Sequence, residues 1–267
     1  SRALLWADSR YYIQAAQELE GSGFELMKLD FPGVPDHLGW LAQHLPMRSR
    51  VGIDGPCTTI HAVRTLEDAL APSGIEVVDL PDWFDILWAH RPARPSSCVT
   101  ALEDAIAGTS AARKVELIRD QVRAIGCTHT VISSLDDIAW ILNLRGSDVS
   151  FNPIFLSYLF ISLQEVVLFT DPGRFTKSLA EKLSGFMAIR PYDEFPGALA
   201  NLLEPKAVLY LSPERTSAAT RKAVPPAVRI VEGRDLSTMM KAKKSPIEIE
   251  GMRRAHLLDG IAMVKLL

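Results

Sequence analysis

The chain has 267 residues, 48% of them apolar and 23% charged, the makeup of a globular protein long enough for two domain cores. A net charge of −3 and an isoelectric point near 6.1 give no electrostatic reason to expect nucleic acid or an anionic membrane as partner. Three scattered cysteines, Cys57, Cys98 and Cys127, fit reduced thiols in a cytoplasmic protein, and Asp8 and Arg10 close behind Leu4-Leu5-Trp6 leave no signal-peptide core.

In chain order, an internal repeat organises the elements. Ala3-Leu-Leu-Trp-Ala-Asp8, Arg10-Tyr-Tyr and a helical run to Leu19 match Val166-Val-Leu-Phe-Thr-Asp171, Arg174-Phe and a helical run to Leu183. A short strand at 24–27 then matches 186–189, and a proline-opened helix at 34–45 matches 194–203. Two buried strands follow in each copy, 51–54 with 208–211 and 75–78 with 228–231. Each copy closes on a short helix and a proline, 82–88 with Pro92 and 235–240 with Pro246.

Between the copies, the proline- and serine-bearing stretch 93–111 reads as a linker holding one short helix at 99–106. The second copy then opens with a part that the first lacks: helix 112–125, strand 128–133, helix 135–142 and strand 154–162. The stretch 112–165 therefore has no counterpart, and an equivalent of it is expected to precede Ser1. Such a half-domain leaves strand edges unpaired. The apolar run 154–169 is too broken by Ser157, Ser162, Gln164 and Glu165 to span a bilayer. From Ser245-Pro246 a capped helix carries Ile249, Met252, Ala255, Leu258 and Ile261 as an apolar stripe, which is expected to pack on the second domain or on another chain.

The most specific segment is SSLDDIAWILNLRGSDVSFNPIFLSY, residues 133–158. Leu135, Ile138, Ala139, Ile141 and Leu142 form a helical stripe, which Ser134 can cap together with Asp137. Trp140 reads as a core residue. After Asn143 comes a polar turn in which Gly146 can take a positive φ. This segment, with ALLWADSRYYIQAAQEL at 3–19, IDGP at 53–56, LWAHRP at 87–92 and SPIEIEGMRRAHLLDGIAM at 245–263, resembles the three-domain cytosolic aminopeptidase P enzymes of the pita-bread metallopeptidase family.

The resemblance implies an α/β chain with two creatinase N-terminal-like domains, each a mixed sheet flanked by helices, the first without its opening half. The implied boundaries are 1–92 for the partial first domain, 93–111 for the linker, 112–243 for the second domain and 244–267 for the start of the catalytic domain. It also implies a homodimer that removes the N-terminal residue from Xaa-Pro peptides. Two manganese ions would be held in the catalytic domain by two aspartates, a histidine and two glutamates. None of those ligand motifs occurs in this chain, nor does HExxH, a Cys/His zinc spacing, GxGxxG, a P-loop or a GxSxG elbow. No catalytic residue and no metal ligand is expected here. Arg145 and Asp148 are the candidates for the rim of the substrate channel, where a guanidinium can take a peptide carboxylate in two-pronged fashion. The competing expectation is an ion pair between the two, and the recurrence of Asp8 with Arg10 and Asp171 with Arg174 points to turn structure. Similar tandem domains precede a metal-free relative in a histone chaperone subunit, so a protein-binding module is the alternative.

Overall fold

The computed structural model describes residues 2–267 and divides the chain into two compact units, Ser1–Asp54 with His61–Trp83, and Gly55–Ile60 with Phe84–Leu267. In the first unit, β1 (Ala3–Ala7), α1 (Tyr12–Glu18) and β2 (Phe24–Lys28) make a parallel crossover pair. After α2 (His37–His44), β3 (Arg50–Ile53), α3 (Ile60–Leu70) and β4 (Glu76–Asp79) make another. Leu66, Leu70 and Ile75 are buried against Leu38, Leu41, Leu45, Val51, Ile53 and Val77, so this small core lies between α2, α3 and the β3–β4 pair. Trp6 spans to the other pair's side, its Nε1 donating to the Pro35 carbonyl at 3.0 Å and its ring meeting Trp40 edge-on. The two strand pairs are separate sheets, with no ladder between β1 and β3.

A short helix, α4 (Trp83–Leu87), leads on to β5 (Thr100–Ala101), α5 (Asp104–Ala107), α6 (Ala111–Ala124), β6 (His129–Ile132), α7 (Leu135–Leu142) and β7 (Leu144–Arg145). Then follow β8 (Tyr158–Ser162), β9 (Val166–Phe169), α8 (Lys177–Ser184), β10 (Ala188–Arg190), α9 (Phe195–Leu202), β11 (Val208–Leu211), α10 (Ala218–Ala223), β12 (Arg229–Glu232), α11 (Leu236–Ala242) and α12 (Pro246–Leu266). One mixed sheet of six strands, ordered β10-β9-β8-β6-β11-β12, forms the second unit's centre, with β8 antiparallel to both neighbours. Successive residues face opposite layers. Ile132, Leu159, Ile161, Val166 and Leu168 meet Val115, Ile118, Ile138 and Ile141 of α6 and α7, whereas Val131, Phe160, Val167, Phe169 and Leu211 meet Phe195 and Leu199 of α9. The central strands are therefore apolar on both faces, as strands covered by helices on both sides must be.

The repeat is visible in the pairing registers. Leu5 faces Leu26 across β1–β2 as Leu168 faces Ile189 across β9–β10. Ile53 faces Asp79 as Leu211 faces Glu232. These registers set 50–53 against 208–211, and 24 against 187, one residue away from the sequence matches at 51 and 186. Side-chain size is exchanged between copies at one pair of positions: Gly52 accommodates Leu80, whereas Tyr210 lies over Gly233 and donates from its hydroxyl to the Arg234 carbonyl at 2.8 Å.

Three expectations are corrected. Only the end of the stretch 99–106 is helical, in α5: before it Thr100–Ala101 pairs antiparallel with β7, Leu102 N–H donates to the Asn143 carbonyl, and Val99 is 1% exposed in the core, so the backbone groups there are taken up by neighbouring chain. The strand expected from 154 starts only at Tyr158. Upstream, the backbone groups of Leu156 are taken by side chains, its N–H by Asp148 Oδ2 and its carbonyl by Thr170 Oγ1. Finally, of the two coverings expected for the α12 stripe, the second unit does not supply one: Ile249, Met252, Leu258 and Ile261 are exposed, and only the first turn of this 21-residue helix is tied to the unit. No helix among the described residues is long and apolar enough to cross a membrane.

Candidate functional site

The segment that carries the resemblance runs from α7 through β7 to β8. Its helix ends where Asn143 turns left-handed, at φ 53°, and points its side chain inward. There Asn143 Oδ1 accepts from Lys114 Nζ at 2.7 Å, and its amide donates to Asp104 Oδ1 and to the Thr109 carbonyl. Lys114 is 2% exposed. Its ammonium also donates to the Trp140 carbonyl at 2.7 Å and lies 4.2 Å from the Trp140 ring centroid, a cation–π arrangement. Burial pushes this amine down to about 8, against the opposing pull of the Glu248 and Asp104 carboxylates. Trp140 Nε1 donates to Glu248 at 3.2 Å, which ties the start of α12 to the same cluster.

Arg145 and Asp148 lie on this loop, but they are not paired. Arg145 is half-buried; its Nη1 donates to the carbonyls of Ala139 at 2.6 Å and Leu144 at 2.9 Å, and burial lowers its pKa. No carboxylate stands within ion-pair distance of it among the described residues. Asp148 instead binds Arg174, Nη2 to Oδ1 at 2.5 Å, with side-chain exposures of 0% and 2%. Ser97 Oγ and the Leu156 N–H donate to the carboxylate at 2.7 Å each, and the Ser97 N–H at 3.3 Å. Burial by itself would raise this carboxyl, yet the hydrogen bonds from Arg174, Ser97 and Leu156 hold it below the usual carboxylate range. The expected Arg145–Asp148 pair is thus replaced by a partner far along the chain. The recurrence holds as turn structure: Asp8 and Asp171 each cap a short 3-10 turn by accepting from the N–H two residues on, that of Arg10 and that of Gly173, while the arginines differ, Arg10 pairing with Asp8 and buried Arg174 with Asp148.

Two local details differ as well. Gly146 has an ordinary φ; the left-handed positions are Asn143 and Phe151. Its lack of a side chain answers a close approach, since a Cβ there would lie 2.7 Å from Phe155 Cβ and 3.0 Å from the Ile154 carbonyl. Ser134 makes no cap bond to the α7 backbone, because its hydroxyl donates to Asp136 instead.

A cleft that the sequence did not announce lies beside the Asp148–Arg174 pair. It measures about 370 Å3 and is lined by Arg94, Pro95, Leu156, Pro172, Pro191 and Tyr192, among others. The Arg94 guanidinium covers the Tyr192 ring at 4.9 Å and binds Asp193 at 2.6 Å. Behind it Tyr158 stacks on Phe195, and burial beside Tyr192 raises the Tyr158 hydroxyl well above its usual value. The cleft sits where β9 and β10 end, and the prolines flanking those ends are the only trace it leaves in the sequence. Among the described residues no three of His, Cys, Asp and Glu converge to hold a metal ion. The arrangement around 143–158 is one of hydrogen-bonded charges that fix a loop, with Arg145 the least committed of them.

Residues 90–248 match the Creatinase/Prolidase N-terminal domain family. Over 99% of its length the chain is 33% identical to an Xaa-Pro aminopeptidase of Caenorhabditis elegans and to a probable Xaa-Pro aminopeptidase P of Arthroderma gypseum, covering 44% and 43% of those proteins. It is 30% identical to the Drosophila melanogaster Xaa-Pro aminopeptidase ApepP. The chain therefore spans less than half the length of these relatives. Among solved structures, the X-prolyl aminopeptidase of C. elegans, described as a cytosolic enzyme with a di-nuclear active site, superposes on 99% of this chain with a TM-score of 0.92 at 31% identity, again over 44% of that protein. With the family match covering more than half of its residues and the mixed sheet in place, this chain belongs to the creatinase/prolidase N-terminal domain family.

Proposed function

We propose that this chain is the non-catalytic N-terminal region of a cytosolic, metal-dependent aminopeptidase that removes the first residue from peptides with proline in second position. The observation that carries the reading is the alignment of nearly the whole chain with under half of several Xaa-Pro aminopeptidases, one of them in structure as well as in sequence. The chemistry, with two manganese ions clamping a water, belongs to a downstream domain that α12 would enter. The two creatinase-like units would narrow the approach to that centre and contribute to a homodimer, so that short peptides reach the metals. Arg145, which has no carboxylate of its own, would meet peptide or an acidic side chain at the channel rim, and Asp148 would hold the loop that carries it.

The test is the full-length protein, loaded with manganese and assayed on Xaa-Pro peptides of increasing length beside residues 1–267 alone. Cleavage by the full-length protein and none by the shorter chain is expected. A folded, metal-loaded full-length protein that leaves Xaa-Pro peptides intact would end the peptidase reading. For Arg145→Ala in the full-length enzyme, KM for peptides should rise with kcat unchanged, the pattern of a lost binding contact.

A further inference from the structure

Among the described residues, Asp30, Arg48, Asn143 and Phe151 are the non-glycines that hold a left-handed φ. Aspartate and asparagine sit in this region with little strain, because a short polar side chain can hydrogen-bond locally, and Asn143 turns its amide inside the fold. A phenylalanine there is strained, its Cβ crowding the following carbonyl oxygen. Phe151, at φ 63°, has no packing to offset this: its side chain is fully exposed, with Val149 exposed close by. Glycine or asparagine would suit the backbone better without removing a core contact.

Nor is the strained position part of a slack loop. Asp148, whose buried carboxylate holds Arg174, opens the turn, and its N–H donates to the Ile154 carbonyl. The Asn152 N–H donates to the Val149 carbonyl and the Ile154 N–H to that of Asn152, which closes a tight turn with Phe151 at its tip. At its base, Gly146 without a side chain lets the incoming arm lie against Ile154 and Phe155. The ring is therefore held out on a hydrogen-bonded stem, and residues 149–153, Val-Ser-Phe-Asn-Pro, carry no charge. Backbone strain kept without a packing reason concentrates where a chain meets a ligand.

We propose that Phe151 is a substrate-contact residue, a platform for an apolar side chain at the position after the proline of a peptide. This rests on the aminopeptidase reading. On that reading the bond is cut in the downstream domain, so a loop of this chain meets the part of the peptide that trails outward past the proline. Arg145, on the same connection between β7 and β8, is suited to a carboxylate, whereas an aromatic face takes an apolar group without needing a hydrogen bond.

The manganese-loaded full-length protein, assayed on an Xaa-Pro dipeptide and on Xaa-Pro-Leu-Gly and Xaa-Pro-Ser-Gly peptides, tests it. Phe151→Asn should lower kcat/KM on the leucine peptide about 3- to 10-fold through KM, and leave the serine peptide and the dipeptide within about twofold of the parent. Phe151→Tyr, which keeps the ring, should retain the parent rates. Because asparagine tolerates this φ, the urea midpoint of Phe151→Asn should equal or exceed that of the parent. A leucine peptide cleaved equally well by parent and Phe151→Asn overturns the proposal and leaves the aminopeptidase reading standing, whereas a parent that cleaves no Xaa-Pro peptide ends both. An equal loss on all three peptides also overturns it, as does a lower urea midpoint or weaker subunit association in Phe151→Asn, since the ring would then be packed against protein.

Discussion

The Arg174 guanidinium and the Asp148 carboxylate meet at 2.5 Å with essentially no solvent on either side chain. Around this pair the chain from Ser97 and the chain from Leu156 are drawn together, since Arg174 Nε also donates to the Ser97 carbonyl at 2.8 Å and Asp148 takes the Leu156 N–H. One ion pair thereby fixes both flanks of the Arg145 loop.

Removing one partner leaves the other charge buried without a counter-ion. Asp148→Asn or Arg174→Met is therefore expected to lower the unfolding free energy by about 3–5 kcal/mol, while the joint replacement Asp148→Leu with Arg174→Met recovers part of that loss. Urea titration of the four proteins measures it. The folded state holds the Asp148 carboxyl below its unfolded value, so the contribution is complete above the ordinary carboxylate range and is lost as pH falls through the folded pKa. An acid limb of the stability curve that is as steep in Asp148→Asn as in the parent would contradict this.

Lys114 gives a pH dependence of the opposite kind. With the amine pushed down to about 8 in the folded state, the unfolded chain binds more protons from there up to the free-lysine value, and stability rises with pH across that interval. Lys114→Met should flatten the rise. It also leaves Asn143 Oδ1 and the Trp140 carbonyl without their donor, a loss of about 1–3 kcal/mol at neutral pH. Unfolding curves taken between pH 7 and 10 on both proteins separate the two effects.

The exchange of size between Gly52–Leu80 and Tyr210–Gly233 makes each glycine the complement of one large neighbour. Gly52→Ala drives a methyl group into the Leu80 side chain and is expected to destabilise the first unit by about 1–3 kcal/mol. Adding Leu80→Ala should remove most of that strain, so that the double variant is less destabilised than the sum of the two single ones. Strict additivity in the cycle would show that Leu80 is not what excludes a Cβ at residue 52.

How far the sequence could be read depended on how local the determinants were. The bounds of α7 follow from its stripe and agree with the structure at both ends, and the Ser245-Pro246 start of α12 appears with a full capping box. The repeat was legible because both copies carry the same strand–turn–helix order. The repeat matches at 24–27 and 51–54 each lie one residue from the equivalence that the strand registers give, since hydrophobic runs mark a strand without marking its partner. Long-range choices were out of reach. Asp148 had a guanidinium three residues away, yet it takes Arg174, 26 residues on, while Arg145 turns its Nη1 to the carbonyls of Ala139 and Leu144. Nor could composition show that Val99, in a stretch rich in proline and serine, fills the core of the second unit.

The same logic identifies how α12 is held. Its side chains beyond the first turn are exposed, and the helix is anchored through Glu248, which accepts from Trp140 Nε1 and from the Ser245 N–H while Ser245 Oγ accepts from the Glu248 N–H. Burial tends to raise the Glu248 carboxyl, but the Ser245 N–H, Trp140 and the Ser245 hydroxyl together keep it below its usual value. Glu248→Ala removes the reciprocal cap and the Trp140 contact at once, at about 0.5–2 kcal/mol for the cap. Amides of the first turn of α12 should then exchange faster, with those of α7 and the central sheet unchanged, and Trp140 fluorescence should respond to the loss of its acceptor. In the parent protein the same loosening should appear as pH falls through the folded pKa of Glu248, and it should be absent from the pH profile of the variant. A first turn that exchanges equally in the two proteins would mean that α12 is held by something other than this carboxylate.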